Sequence, residues 1–218
     1  MDAEREIEGC FFAVIPAKDP DLGKSRLAPV LNLPQRRALN LELARSTVEV
    51  CAAYLGGERT IVVTSSSAIR RIAEPFGAVV LEEEEGACGM NGALRAGAKV
   101  ALDSGAMALV AIPTDLPLLS IPLLRSALAN FQAQHECLLV PDRRGMGTNL
   151  MAISPADPEL FSFGERSLER HEREARIRGY RVKIHRSAEL SLDLDTADDL
   201  RFYLALAETR LPIDGAAD

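Results

Sequence analysis

The feature that most limits what this chain can become is an unbroken apolar run at 106–112, Ala-Met-Ala-Leu-Val-Ala-Ile, that ends on Pro-Thr-Asp. Such a run is short for a helix. As a strand it must have both faces covered, as at the centre of a parallel sheet. Phe-Phe-Ala-Val-Ile at 11–15 and Thr-Ile-Val-Val-Thr at 60–64 read the same way. Between these two the period changes. From Pro34, a residue favoured in a first turn, Leu41, Ala44, Val48, Cys51 and Leu55 recur at three- and four-residue spacing until Gly56-Gly57 stops the helix. The alternation continues with a short helix ending near 76, a strand at 78–81 and a helix at 91–102. A helix at 121–134, strands at 137–140 and 149–153, a polar helix at 167–178, a strand at 181–185 and a last helix at 196–208 follow. Thr196 and Asp199 form a capping-box pattern at that final start. The expectation is a single α/β domain over 1–218, a three-layer, mostly parallel sheet with helices on both faces. Residues 1–9 and 211–218 are read as frayed ends.

Ligands of such sheets bind beyond the carboxyl ends of the strands. After the first strand come Lys18, Gly23, Lys24, Ser25 and Arg26, a cationic cluster in a chain of formal net charge −7. Backbone N–H groups around a glycine, backed by Lys and Arg, suit a triphosphate. A solvated loop is the alternative, and the first glycine of a Walker A loop is missing. After the apolar strand stands Asp115, placed to hold Mg²⁺ against phosphate oxygens, or else a turn aspartate beside prolines. In Leu192-Asp193-Leu194-Asp195 an extended backbone puts both carboxylates on one side and both leucines on the other. Like charges so close favour a cation between them, while charge at a helix N-terminus is the competing explanation.

Three weaker patterns remain. Gly147-Thr148-Asn149, behind Asp142, offers donors to an anion or is a plain hairpin turn. Gly89 and Asn91 open a helix, where a close turn can meet a base or ribose, or Asn91 is simply a helix cap. Gly164, Ser167 and His171 lie around the polar helix. Ser167 can help bind an anion, but an N-cap serine and an exposed histidine in a helix of Glu/Arg pairs is the plainer reading. The run 82–85 of glutamates reads as a solvated face.

An acidic chain disfavours a nucleic-acid partner, and no apolar run reaches the roughly 20 residues of a membrane span. Cys10, Cys51, Cys88 and Cys137 are scattered, as in a reduced, cytoplasmic protein. No heptad seam points to a coiled coil, and a homodimer is left open.

Taken together, the motifs resemble the CofC-type guanylyltransferases of deazaflavin coenzyme F-420 biosynthesis. The resemblance rests on Pro16-x-Lys18 with Gly23-Lys24-Ser25-Arg26-Leu27, Thr114-Asp115-Leu116-Pro117, Gly147-Thr148-Asn149, Phe163-Gly164-x-x-Ser167-x-x-x-His171 and Asp193-x-Asp195-Thr196. The chain has Gly-Lys-Ser-Arg-Leu where the family tends to Ala-Lys-Ser-Arg-Leu, and Gly-Met90-Asn where it tends to Gly-Leu-Asn. The resemblance implies a nucleotide-diphospho-sugar transferase architecture, like that of molybdenum-cofactor guanylyltransferases. It implies GMP transfer from GTP to 2-phospho-L-lactate, phosphoenolpyruvate or 3-phosphoglycerate, with Mg²⁺ on Asp115, Asp193 and Asp195. It also implies Lys18, Lys24 and Arg26 along the GTP phosphates, and Thr148, Gly164 and Ser167 around the acid. Rivals are another nucleotidyltransferase, such as a molybdenum-cofactor guanylyl- or cytidylyltransferase, and a non-catalytic nucleotide-binding protein. The first would carry a glycine-rich loop where this chain has Pro-Ala-Lys-Asp-Pro.

Overall fold

A computed structural model describes the backbone of residues 11–82, 89–129, 131 and 134–210, and side chains within these spans as far as 206. The expected frayed ends, Cys10, Glu83–85 and the 86–88 turn with Cys88 lie outside the described residues.

Seven strands make one sheet: β1 (Phe11–Pro16), β2 (Thr60–Thr64), β3 (Val79–Glu82), β4 (Ala108–Ala111), β5 (Glu136–Pro141), β6 (Thr148–Ser154) and β7 (Arg181–Ile184). Their order is β3-β2-β1-β4-β6-β5-β7. β6 runs antiparallel to both neighbours, β4 and β5, and every other pairing is parallel. The helices among the described residues are α1 (Leu33–Leu55), α2 (Ser67–Ala73), α3 (Gly89–Asp103), α4 (Ile121–Leu128), α5 (Ser167–Ile177) and α6 (Ala197–Arg210).

Side-chain alternation along the strands divides the core into two layers. Phe11, Ala13 and Ile15 of β1 join Val110 of β4 on the face covered by α1, α2 and α4, through Val48, Cys51, Ile69 and Leu124. Phe12 and Val14 join Leu109 and Ala111 on the opposite face, against Leu94 and Ala98 of α3 and Ala175 of α5. This is the expected three-layer arrangement, with β1 and β4 wholly apolar because both faces are packed. At α1, Asn32 accepts from the Gln35 backbone N–H and Gln35 answers to the Asn32 N–H, a full capping box with proline in the first turn.

Two expectations need correction. The helix expected over 121–134 ends at Leu128, where the chain turns (Phe131 N to Leu128 O, 3.0 Å) and lays Phe131 against Phe11, ring centroids 5.3 Å apart. The last helix starts at Ala197, with Thr196 just outside it as the cap. Among the described residues no helix is long and apolar enough to cross a membrane. Cys51 and Cys137 are buried free thiols, both pushed up to about 12 by burial.

The closest helix–sheet contact is at Gly97 of α3. A Cβ there would meet Val14 Cγ1 at 2.5 Å and Val63 Cγ2 at 2.9 Å. Alanine gains helix propensity of about 1 kcal/mol but overpacks against two stiff, branched side chains at a cost of about 1–3 kcal/mol. Gly97→Ala should therefore lower the urea midpoint without changing the slope, and a midpoint equal to or above wild type would refute this packing.

Candidate active site

A cavity of about 360 Å³ lies beyond the carboxyl ends of β1 and β4, within the size range of small-ligand sites. Its floor and walls come from three stretches of chain: 16–26 after β1, Pro113–Asp115 after β4, and Asp195. Met90 and Ala93 of α3 close one side.

The 16–26 loop is tied to α1. Asn40 Nδ2 donates to Pro20 O at 2.7 Å, Arg37 pairs with Asp21 at 2.6 Å, and Arg36 reaches Gly23 O at 3.5 Å. Gly23 is needed for this approach, since a Cβ would sit 2.7 Å from Asn40 Nδ2. Lys24 follows in the left-handed conformation, φ 54°, which costs a non-glycine residue about 1–2 kcal/mol. That turn carries its side chain inward, 7 % exposed, with Nζ 3.4 Å from Asp195 Oδ1. Leu27 anchors the far end of the loop in the core. Lys18, Ser25 and Arg26 remain exposed on the rim of the cavity.

The acidic side is built by one backbone hydrogen bond. Leu194 N donates to Asp115 O at 2.9 Å, joining the 192–195 segment to the end of β4. Leu192 and Leu194 are fully buried while Asp193 and Asp195 are part-exposed, the alternation expected of this segment. Burial pushes the Asp115 carboxyl up to about 6; Lys24 opposes the rise, and Asp195 and Asp193 add to it. Burial likewise raises Asp193, with Asp195, Asp199 and Asp142 contributing. Asp115 Oδ1 is buried without a hydrogen-bond partner. A cation suits these carboxylates: it would satisfy the orphaned oxygen and relieve their mutual repulsion. Among the described residues no three His, Cys, Asp or Glu side chains stand as a ready-made metal cluster, and Asp195 spends one oxygen on Lys24.

Next to this cavity, sharing Arg26 and Asp195 with it, is a second of about 140 Å³ lined also by Asp193, Arg143 and Arg144. The arginines come from the β5–β6 turn, a hairpin closed by Asp142 N to Gly147 O at 3.0 Å. Arg143 is held by Asp199 at 2.7 Å and lies over the Phe202 ring at 4.8 Å. Asp199 also accepts from Thr196 N and Oγ1 at 2.8 and 2.7 Å, the expected cap.

Thr148, Gly164 and Ser167 do come together, but neither cavity is lined by them. Ser167 is 1 % exposed, and its Oγ accepts from Thr148 N at 3.0 Å. Gly164 O accepts from Ser167 N at 3.1 Å. The plainer reading of this segment fails at two points. Ser167 is the first helical residue rather than the cap, a place taken by Arg166 at φ 53°, and His171 is wholly buried rather than exposed. The expected Glu/Arg lacing of the helix does occur, as in Arg176–Glu172 at 2.6 Å.

At α3, Gly89 takes φ +62° at the helix start. Asn91 sits inside the helix, so it is not the cap, and its amide is occupied. Nδ2 donates to Phe163 O at 3.0 Å and Oδ1 accepts from Phe163 N at 2.7 Å. It therefore positions the 161–166 segment, with one of its two N–H donors and one lone pair of Oδ1 spent on Phe163.

The sequence matches the family described as "Guanylyl transferase CofC like" over residues 11–208. The chain belongs to this family. Among its CofC-like relatives, the phosphoenolpyruvate guanylyltransferase of Rubrobacter xylanophilus is 36 % identical over 87 % of this chain and 91 % of its own length. The 3-phospho-D-glycerate guanylyltransferase of Colwellia psychrerythraea is 32 % identical over 89 % and 91 %. The fold is that of a nucleotidyl transferase from Methanothermobacter thermautotroptrophicus, with TM-score 0.66, 16 % identity, and coverage of 91 % and 98 %. This CofC-like chain is a nucleotidyltransferase enzyme.

What the sequence did not single out is Asn40 and the pairing of Arg143 with Asp199. Each acts through a partner 20 to 56 positions away, which local patterns do not record. Replacing Asn91 by Leu leaves the Phe163 N–H without its partner. It should destabilise the protein by about 1–3 kcal/mol in urea unfolding while leaving GTP affinity near wild type; a large loss of GTP affinity at intact stability would instead make Asn91 a nucleotide contact.

Proposed function

We propose that the protein transfers GMP from GTP to a phosphorylated three-carbon acid, releasing pyrophosphate, as a step in coenzyme F-420 assembly. The observation that carries this is the buried, unpartnered Asp115 oxygen in a cavity shared with Lys24, Arg26 and Asp195. It joins an acidic end and a cationic loop, as a metal–nucleoside triphosphate requires. The names of the relatives supply the acid as phosphoenolpyruvate or 3-phospho-D-glycerate, and 2-phospho-L-lactate belongs to the same chemical class. Buried free thiols agree with a reducing, cytoplasmic setting.

The acceptor supplies its own nucleophile. A phosphate monoester, with a second pKa near 6, is a dianion at neutral pH, so no general base is required. The protein's work is to align that oxygen in line with the α-phosphorus of GTP. Lys24, Lys18 and Arg26 would lie along the triphosphate and oppose the charge gathering on the departing pyrophosphate. Asp115, Asp193 and Asp195 would hold Mg²⁺, which when bound polarises phosphate oxygens and neutralises developing charge. Arg143 and Arg144, in the adjoining cavity, offer countercharge to an anionic acceptor.

The test is pyrophosphate release by purified protein with Mg²⁺ and GTP, each acid offered separately and ATP, CTP and UTP as controls. Release with GTP and one acid is expected; no release with any pair, from protein that binds GTP, would defeat the reading. Asp115→Asn should lower turnover by a factor of 10² or more, on the order of an electrostatic stabiliser's worth, with an unchanged fold by circular dichroism. Chelation of divalent ions should abolish wild-type release, and activity that survives EDTA would remove the metal role.

A further inference from the structure

His171 is the one histidine buried completely, at 0 % exposure among the described residues, and the reaction as described does not use it. Its ring is held at both nitrogens. Ser162 N donates to Nε2 at 3.1 Å, and Nδ1 lies 2.9 Å from Thr148 Oγ1. The Phe163 ring packs edge-on, centroids 4.8 Å apart. A backbone N–H can only donate, so Nε2 must carry a bare lone pair. A neutral imidazole accepting there has its proton on Nδ1. Burial and the neighbouring Arg170 push the ring's pKa down to about 4, so it stays neutral.

The tautomer fixes the direction of the next bond. Nδ1–H donates, so Thr148 Oγ1 accepts, and the hydroxyl proton of Thr148 must point elsewhere. Thr148 Oγ1 has no other hydrogen bond among the described residues. Its backbone N–H is spent on Ser167 Oγ. Thr148 stands at the end of the hairpin whose Arg143 and Arg144 line the second cavity. A hydroxyl that already accepts one hydrogen bond and whose own proton is unspent is suited to donate to an anionic oxygen.

We propose that His171 is a positioning residue: fixed as its Nδ1–H tautomer, it turns the Thr148 hydroxyl proton outward, to be donated to a carboxylate or phosphate oxygen of the acceptor. The surrounding contacts serve the same end. Arg170 grips Ser162 O through Nε and Nη2 at 3.1 and 2.8 Å, and Asn91 grips Phe163 from the other side. Together with Arg95, which donates to Phe161 O at 3.1 Å, they hold the stretch whose Ser162 N–H sets the tautomer.

The proposal rests on the acceptor reading above, and its test separates the two. In wild-type protein, a long-range ¹H–¹⁵N spectrum should show His171 protonated on Nδ1 and bare on Nε2, with or without substrate; an Nε2–H ring or an imidazolium overturns the proposal whatever the reaction. In kinetics at saturating GTP, Thr148→Val and His171→Leu should each raise the acceptor KM roughly ten- to a hundredfold, the range for one hydrogen bond to a charged group. The KM for GTP should hardly move. The double variant should be no worse than Thr148→Val alone, because both remove the same bond. His171→Asn, whose amide can donate from near the Nδ1 position, should recover most of the loss. Additive penalties, or equal loss of GTP and acceptor binding, would make His171 a packing residue only. A wild-type enzyme inert with every acid would overturn the acceptor reading and Thr148's role with it, while the ring's tautomer would still report whether the geometry is right.

Discussion

The single hydrogen bond from Leu194 N to Asp115 O joins two parts of the chain that the sheet alone would leave apart. β4 ends in the middle of the sheet; the 192–195 segment comes from the far end of the sequence, after β7. Once the two backbones are paired, the period of an extended chain does the rest. Leu192 and Leu194 seal the core, and Asp193 and Asp195 are turned to the side where Asp115 emerges. The acidic pole therefore depends on apolar packing for its register. A one-residue slip would bury two carboxylates and expose two leucines, which the hydrophobic free energy of those leucines, about 1.5–3 kcal/mol each, opposes.

The opposite pole is made at a local cost. Lys24 accepts a left-handed backbone so that its ammonium, rather than a solvent-facing charge, stands against Asp195. The loop tolerates this because Asn40, Arg36 and Arg37 of α1 hold it at several points. Strain kept in place by surrounding contacts at a cleft is a common sign of preorganisation. In a chain of net charge −7, Lys18, Lys24 and Arg26 gather positive charge at one mouth of the cavity, opposite the aspartates.

Much of the architecture was legible because β1, β2 and β4 are apolar on both faces and α1 carries an uninterrupted stripe, signals that lie within a few residues of one another. The alternation at 192–195 was legible for the same reason. Helix α4 was read too long because its stop is set by Phe131 finding Phe11, 120 positions away. The antiparallel course of β6 and the strand order depend on tertiary pairing and leave no local mark. Around Ser167 the residue types were visible but their partners were not. Charged helix neighbours predict an exposed His171, yet Ser167, His171 and Ala175 recur every four residues and form the face that α5 buries. Asn91 has the composition of a cap and the geometry of a clamp, and only the Phe163 backbone decides between them.

The reversal of β6 has a further consequence. In an all-parallel sheet every strand would present its last residue to the cleft, and every loop there would lead into a helix. Here one strand has its first residue, Thr148, at that end, and the connection reaching the cleft is a tight hairpin bearing Arg143 and Arg144. The two cavities are thus drawn from stretches far apart in the sequence: the 16–26 loop after β1, Pro113–Asp115 after β4, the hairpin arginines and the 193–199 segment. A substitution in the hairpin can therefore change the charge of the smaller cavity while the loop after β1 keeps its hold on α1.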